Sequence, residues 1–181
     1  MLPELPRSEF VFSTKTGRLI VPNPHPATQD DDGFAVPGDL TRAWDFSHSG
    51  AERSLDESRA RVGVDAIDIA FVNDPDQAYP GAREESIAAL AAMKRAGLIR
   101  AIGVGTNATD GLAALIEQSA IDVVMLAYRF TLLDQQALHA VLEPAARAGI
   151  AVIAVGIYGS GLLSTPRPAV DAVYEHQSAD P

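Results

Sequence analysis

Five short polar groups in this sequence have the side-chain types that reactions on small oxygenated molecules require: Lys15; Asn73 with Asp74 and Asp76; Thr106 with Asn107; Tyr128 with Arg129; and Tyr158 with Ser160. A desolvated lysine amine can move a proton or form a Schiff base, and a lysine can equally pair with a carboxylate such as Asp74. Asn73 can orient an oxygen but cannot exchange a proton near neutral pH. Asp74 is a candidate general base, whereas Asp76 in the Asp-Pro-Asp stretch reads as turn chemistry because Pro75 fixes φ. Asn107 is suited to gripping a carboxamide or to capping a helix that starts near Thr109. Tyr158 adds a phenol to the catalytic candidates Lys15, Asp74 and Asn73, and Trp44, Asn107, Tyr128 and Arg129 are candidates for contacting substrate. No metal is expected, since His25, His48, His139 and His176 lie far apart and show no ligand spacing. Asp30 to Asp32 lack the alternation of a calcium loop, and "GIYGSG" lacks the lysine and full spacing of a phosphate loop.

What places these groups together is that each follows an apolar run. "EFVFST" (9–14), "AIDIAFV" (66–72), "RAIGVG" (100–105), "IDVVMLAY" (121–128) and "IAVIAVGI" (150–157) are too short for core helices, and the last three lack alternation. They read as strands of a parallel sheet buried on both faces. Segments of helical period lie between them. "REESIAALAAMKRAG" aligns Ile87, Leu90, Ala91 and Lys94 and stops at Gly97; "LDQQALHAVLEPAARAG" aligns Leu138, Val141, Leu142 and Ala145 and stops at Gly149, with a break expected near Glu143 ahead of Pro144. "TDGLAALIEQ" and "SGAERSLDESRARVG" are shorter or weaker versions. The expectation is an α/β fold of about five βα units, in which right-handed crossovers bring every strand's C-terminal end to one rim. Polar groups at five consecutive strand ends make a pocket at that rim the default expectation. Residues 17–43, dense in Pro, Asp and Gly, read as a long loop, either a lid or a mobile insertion. Trp44 beside it reads as a lid anchor or a satellite-core residue.

At 181 residues with 47% hydrophobic composition, a single globular domain covering residues 1–181 is expected. A formal charge of −10 repels phosphate backbones and argues against nucleic acid, leaving a small-molecule metabolite as the expected partner. The chain has no cysteine, hence no disulfide or thiolate chemistry. No apolar run approaches the roughly 18 residues that span a bilayer, and "MLPELPRSEF" has no secretory pattern. A cytoplasmic protein without membrane contact is expected.

"FVFSTKTGRL", "SLDESRARVGVDAIDIAFVNDPD", "AAMKRAGLIRAIGVGTN", "IDVVMLAYRFTLLDQQAL" and "VIAVGIYGSGLL", in this order, resemble the aldo-keto reductases, most closely the branch of aldose and fucose dehydrogenases. The similarity covers about residues 7 to 166. It implies part of a (β/α) TIM barrel, equivalent to strands 3 to 7, in a family that moves hydride between NAD(P) and a carbonyl or alcohol. It matches Lys15 to the family's catalytic lysine, puts Asn73 where the family has its catalytic histidine, and matches Asn107 to the asparagine that holds the nicotinamide carboxamide. The family's catalytic Asp and Tyr fall before residue 1, and its adenosine-phosphate site falls beyond residue 181.

Three functions follow as expectations. The first is a non-redox enzyme of dehydratase, isomerase or cyclase type with no cofactor, in which Lys15 polarises, Asp74 is the base and Asn73 and Asn107 orient oxygens. The second is an NADP- or NAD-dependent oxidoreductase completed by a partner subunit or by replacement residues such as Tyr128 or Tyr158. The third is a non-catalytic metabolite-binding or partner protein. Five strands do not close an eight-stranded barrel, so a homodimer or higher homo-oligomer is expected to cover the open edges.

Overall fold

The computed structural model describes residues 5–30, 35–159 and 161–164. Among them, six strands and four α-helices follow in the order β1 (Ser13–Ala27), β2 (Gly38–Asp45), α1 (His48–Val62), β3 (Ile69–Asn73), α2 (Ala82–Arg95), β4 (Ala101–Thr106), α3 (Leu112–Glu117), β5 (Val123–Ala127), α4 (Glu143–Ala148) and β6 (Ala151–Val155). The expected alternation of strand and helix is found from β3 onward. The chain divides into two compact units, the first ending at Ile102 and the second beginning at Gly103.

In the first unit β1 pairs in parallel with β3 through a short ladder, Ser13 opposite Ile69 to Thr16 opposite Val72. Further along, β1 turns antiparallel with β2, with Gly17 opposite Asp45 and Arg18 opposite Trp44. Residues 17–43, expected as a long loop, are therefore a β-hairpin wherever they are described. Its composition misleads for a physical reason. Pro22 still sits in register opposite Leu40, and Pro24 and Pro26 fall where the ladder is interrupted, between Pro22 and Ala27, so the strand tolerates their missing donors. Asn23 substitutes for part of the ladder: its amide donates to the Gly38 carbonyl at 2.9 Å and its Oδ1 accepts from the His25 N–H at 2.9 Å.

Helix α1 starts where the Ser47 hydroxyl accepts from the Gly50 N–H at 3.0 Å, and it stops at Gly63 in the left-handed conformation. Helix α2 buries Ser86, Ala89, Leu90 and Met93, a stripe about one residue away from the expected Ile87, Leu90, Ala91 and Lys94. Ser86 can face inward because its hydroxyl donates to the Ala82 carbonyl at 2.5 Å. Phe46, Phe71, Val72, Leu90 and Met93 form the fully buried centre of this unit.

Strand β1 begins at Ser13 rather than Glu9, because the preceding residues serve Asp68 instead of a ladder. The buried Asp68 carboxylate accepts from Arg7 Nη2 at 2.5 Å and from the Phe12 N–H at 2.8 Å, and Arg100 Nη1 lies at 3.2 Å. Its backbone carbonyl accepts from the amides of Arg100 and Ala101. Three chain segments thus meet on one residue.

The second unit holds β5 between β4 and β6, both parallel to it, with Gly103 opposite Val123 and Val123 opposite Ala151. Val104, Leu112, Ile116, Val124, Leu126, Val141 and Ala145 are among its buried residues. The expected break near Pro144 is present: residues 138–142 form a wider π turn and α4 starts at Glu143. The proline ring cannot accept the ordinary helical ladder behind it. The helix closes at Gly149 as expected, with φ 72°. Strand β6 is largely exposed and Ile153 is 38% accessible, although its sequence resembles that of the buried β5. Among the described residues no helix is long and apolar enough to cross a membrane.

Desolvation alone would raise the Asp68 pKa, but the Phe12 amide and the Arg7 guanidinium outweigh it and hold the carboxyl below its ordinary value of 3.8. A depressed folded-state pKa contributes stability above the unfolded value and loses it as pH falls through the folded one. The wild type is therefore expected to lose stability in urea melts as pH drops below about 4. Asp68→Asn is expected to be less stable by about 1–3 kcal/mol at neutral pH, with a flatter acid slope. Superimposable acid profiles for the two proteins would contradict this role.

Candidate active-site residues at the strand ends

Lys15, expected at a strand end, is instead the third residue of β1, because the strand runs on into the hairpin; it lies level with Phe71 in the parallel ladder and is solvent-exposed. Asn73 ends β3 and is buried, and its amide donates to Asp74 Oδ2 at 3.2 Å. Asp74 turns the chain in the left-handed region, φ 44°, and leads into a short 3-10 turn over Pro75–Gln77. The sequence allowed an ion pair between Lys15 and Asp74, but the cation beside Asp74 is Arg18, whose Nη2 is 3.7 Å from Oδ2. Register explains the substitution. With Thr16 opposite Val72, residue 18 comes level with residue 74, while Lys15 stays opposite Phe71. Among the described residues Lys15 has no carboxylate partner. Asp76 fits its turn reading and pairs with Arg83.

Arg18 was not recognised in the sequence. Its guanidinium lies 4.2 Å from the Trp44 ring centroid, directly across the hairpin. Trp44 stacks on Phe46 at 5.5 Å, and Phe46 meets Tyr79 edge-on at 5.8 Å. Tyr79 donates to Glu85 at 2.7 Å, and this hydrogen bond pushes its phenol above the ordinary pKa. Trp44 thus belongs to an aromatic ladder and is also 40% exposed. Gly17 permits the arrangement: at φ 102° a side chain is strained, and a Cβ there would run into the Phe46 ring.

A cavity of about 330 Å³ opens here, lined by Lys15, Arg18, Arg42, Arg61, Ser58 and Asn73 among others. Arg42 is paired with Asp30, and Arg61 Nη1 lies 3.6 Å from Glu57. The Nε of Arg18 is buried without an acceptor. Cations and hydroxyls in one concave surface suit an oxygen-rich small molecule, despite the net negative charge of the chain. A larger cavity, about 550 Å³ beside Arg7–Val11 and Arg100, lies at the N-terminal ends of the strands and holds none of the candidates.

In the second unit, Thr106 ends β4 and its hydroxyl accepts from the Ala108 N–H at 3.0 Å. Asn107 is half-buried, and its side-chain amide makes no hydrogen bond among the described residues. It does not cap a helix, because α3 starts at Leu112 behind Gly111 with no side-chain cap. Tyr128 follows β5 in the left-handed region, φ 64°, and its N–H donates to the Val155 carbonyl at 3.0 Å. Arg129 Nε donates to the Asn107 carbonyl at 2.8 Å. Tyr158 is 60% exposed just beyond β6, and Ser160 lies outside the described residues. The structure therefore brings Asn107, Tyr128 and Arg129 into one unit and Lys15, Asn73, Asp74 and Trp44 into the other.

Residues 3–177 match the aldo/keto reductase family model. The chain belongs to the aldo/keto reductase family. It is 39% identical over 175 residues to D-threo-aldose 1-dehydrogenase of Pseudomonas sp, covering 94% of this chain and 53% of that protein. It is 31% identical over 185 residues to pyridoxal 4-dehydrogenase of Microbacterium luteolum, covering 92% and 54%. The chain thus spans about half the length of the curated relatives it matches. Among solved structures, glycerol dehydrogenase from Gluconobacter oxydans aligns with TM-score 0.69 at 21% identity over 98% of this chain and 49% of that one. The fold expected from the sequence, consecutive βα units of aldo-keto-reductase (β/α) type, is the one found.

Gly156, directly after β6, has φ 66°, and a Cβ there would come within 2.6 Å of the Tyr128 ring. Gly156→Ala is expected to cost about 1–3 kcal/mol from left-handed strain and overpacking. In a Tyr128→Ala background the overpacking share should vanish and the strain remain. Equal costs in both backgrounds by urea denaturation would show that the ring contact contributes nothing.

Proposed function

We propose that this chain is an NAD(P)-dependent oxidoreductase, converting an alcohol or lactol carbon to a carbonyl, or the reverse, in a small polyhydroxylated or aldehyde-bearing metabolite. The observation that carries the reading is the 39% identity to an aldose dehydrogenase across nearly the whole chain, and a second relative is a dehydrogenase as well. The non-redox alternatives of dehydratase, isomerase or cyclase type have no such support. The local chemistry agrees with a nicotinamide cofactor. Asn107 offers a half-buried amide whose donor and acceptor are both unengaged among the described residues, which suits a carboxamide.

When bound, the nicotinamide supplies the hydride acceptor or donor. The chain's own residues handle charge and orientation. Lys15, exposed and without a carboxylate partner among the described residues, stabilises negative charge on the substrate oxygen while the C–H bond breaks. Asn73 orients an oxygen without exchanging a proton. Asp74, held by Asn73 and Arg18, accepts the hydroxyl proton in the oxidative direction. Arg18 supplies polar contacts to a sugar-like substrate, and the exposed part of Trp44 supplies an apolar edge beside it. A homo-oligomer is part of the same proposal, supported by the exposure of Ile153 on strand β6.

Calorimetric titration with NADPH and NADH is the direct test, followed by assays with aldoses and pyridoxal that monitor the reduced nicotinamide. Binding is expected well below millimolar, and Lys15→Met should lower kcat/KM by about 10²- to 10⁴-fold with little change in cofactor affinity. No binding of either cofactor up to millimolar concentration would sink the proposal.

A further inference from the structure

The geometry points to Arg129 as a positioning residue that holds Asn107 in place for a carboxamide, a role that rests on the cofactor reading above. Arg129 is half-buried and follows the left-handed Tyr128, where the chain turns sharply at the end of β5. From there its guanidinium reaches the loop after β4. Its Nε donates to the Asn107 carbonyl at 2.8 Å, and its Nη1 lies 3.4 Å from Asp134 Oδ2.

Asp134 is a fixed anchor rather than a mobile surface carboxylate. Its backbone N–H donates to the Thr131 hydroxyl at 2.9 Å, and its own carbonyl accepts from the Thr131 N–H at 2.6 Å. Its Oδ1 accepts from the Gln136 N–H at 2.9 Å, and the Arg129 carbonyl accepts from the Ala137 N–H at 3.1 Å. Residues 129–137 are thus tied back onto themselves, and the planar guanidinium transmits that rigidity to Asn107. The N–H of the same peptide group, that of Ala108, is held by the Thr106 hydroxyl. With this peptide group held at both its oxygen and its N–H, the backbone on the C-terminal side of Asn107 is fixed, and the Asn107 side chain takes the rotamers that backbone allows. Among the described residues nothing engages its side-chain amide, leaving both donor and acceptor to a ligand.

The two contacts demand an arginine. A guanidinium presents donors in a rigid plane and can bridge a carbonyl and a carboxylate at a set angle, whereas a lysine ammonium is a point charge on a flexible stem. Arg129 acts through Asn107, so its effect on ligand binding must disappear when the Asn107 amide is gone.

A double-mutant cycle on the full chain tests this, with NADH and NADPH titrated calorimetrically into the wild type, Asn107→Ala, Arg129→Met and the double variant. Arg129→Met is expected to weaken binding about tenfold, a change of about 1.4 kcal/mol, with Arg129→Lys intermediate. The double variant should bind no more weakly than Asn107→Ala alone. Additive losses, or unchanged affinity in Arg129→Met, would overturn the inference. Should Arg129→Met fail to fold, Asp134→Asn takes its place in the cycle, with a loss of about threefold expected and the same non-additivity. If the wild type binds neither cofactor, the functional reading fails by itself and hydrogen exchange decides the inference. Faster exchange of the Ala108 amide in Arg129→Met, with Val124–Leu126 unchanged, would support it; unchanged exchange at Ala108 would refute it.

Discussion

The short parallel ladder between Ser13–Thr16 and Ile69–Val72 sets the chemistry of the first rim. Backbone hydrogen bonds fix which residue of β1 stands beside which residue of β3, and a slip by one would send every side chain to the opposite face. That register leaves Lys15 opposite Phe71 and brings Arg18 level with Asp74. The carboxylate is thereby given to the arginine, and among the described residues the lysine has no carboxylate partner. A lysine in that state is far more useful to a developing oxyanion than one already locked in an ion pair.

The same strand then changes partners. Beyond Thr16 it pairs with β2, and the antiparallel register sets Arg18 directly across from Trp44. One arginine consequently touches both Asp74 and the aromatic ladder that runs through Phe46 to Tyr79. Arg18, Ile20 and Arg42 of the hairpin line the cavity, and Asn23 completes hydrogen bonds within the hairpin itself.

In the second unit the rim is shaped by backbone conformation. Tyr128 and Gly156 both turn left-handed directly after their strands, and Gly156 lacks the Cβ that would strike the Tyr128 ring. Asp74 does the same after β3 in the first unit. Strain at non-glycine residues persists only where the surroundings over-determine it, and here it turns the chain just where polar side chains are presented. The Asp134–Arg129–Asn107 chain of contacts is the polar counterpart of that packing.

The sequence by itself determined the βα alternation, the glycine stops at Gly97 and Gly149, the break before Pro144, and the strand-end positions of Asn73, Asn107, Tyr128 and Arg129. These depend on local periodicity, φ preference and chain order, all of which a single segment carries. It misjudged residues 17–43, because spaced prolines and asparagine look the same in a loop and in a strand edge. It passed over Arg18 and Asp134, whose partners are distant or conformation-dependent. Only the tertiary structure decided which cation meets Asp74, that Asn107 is free of capping duty, and that Trp44 is stacked between an arginine and a phenylalanine. Those outcomes follow from strand register and loop closure, which arise between segments and so leave no mark within any one of them.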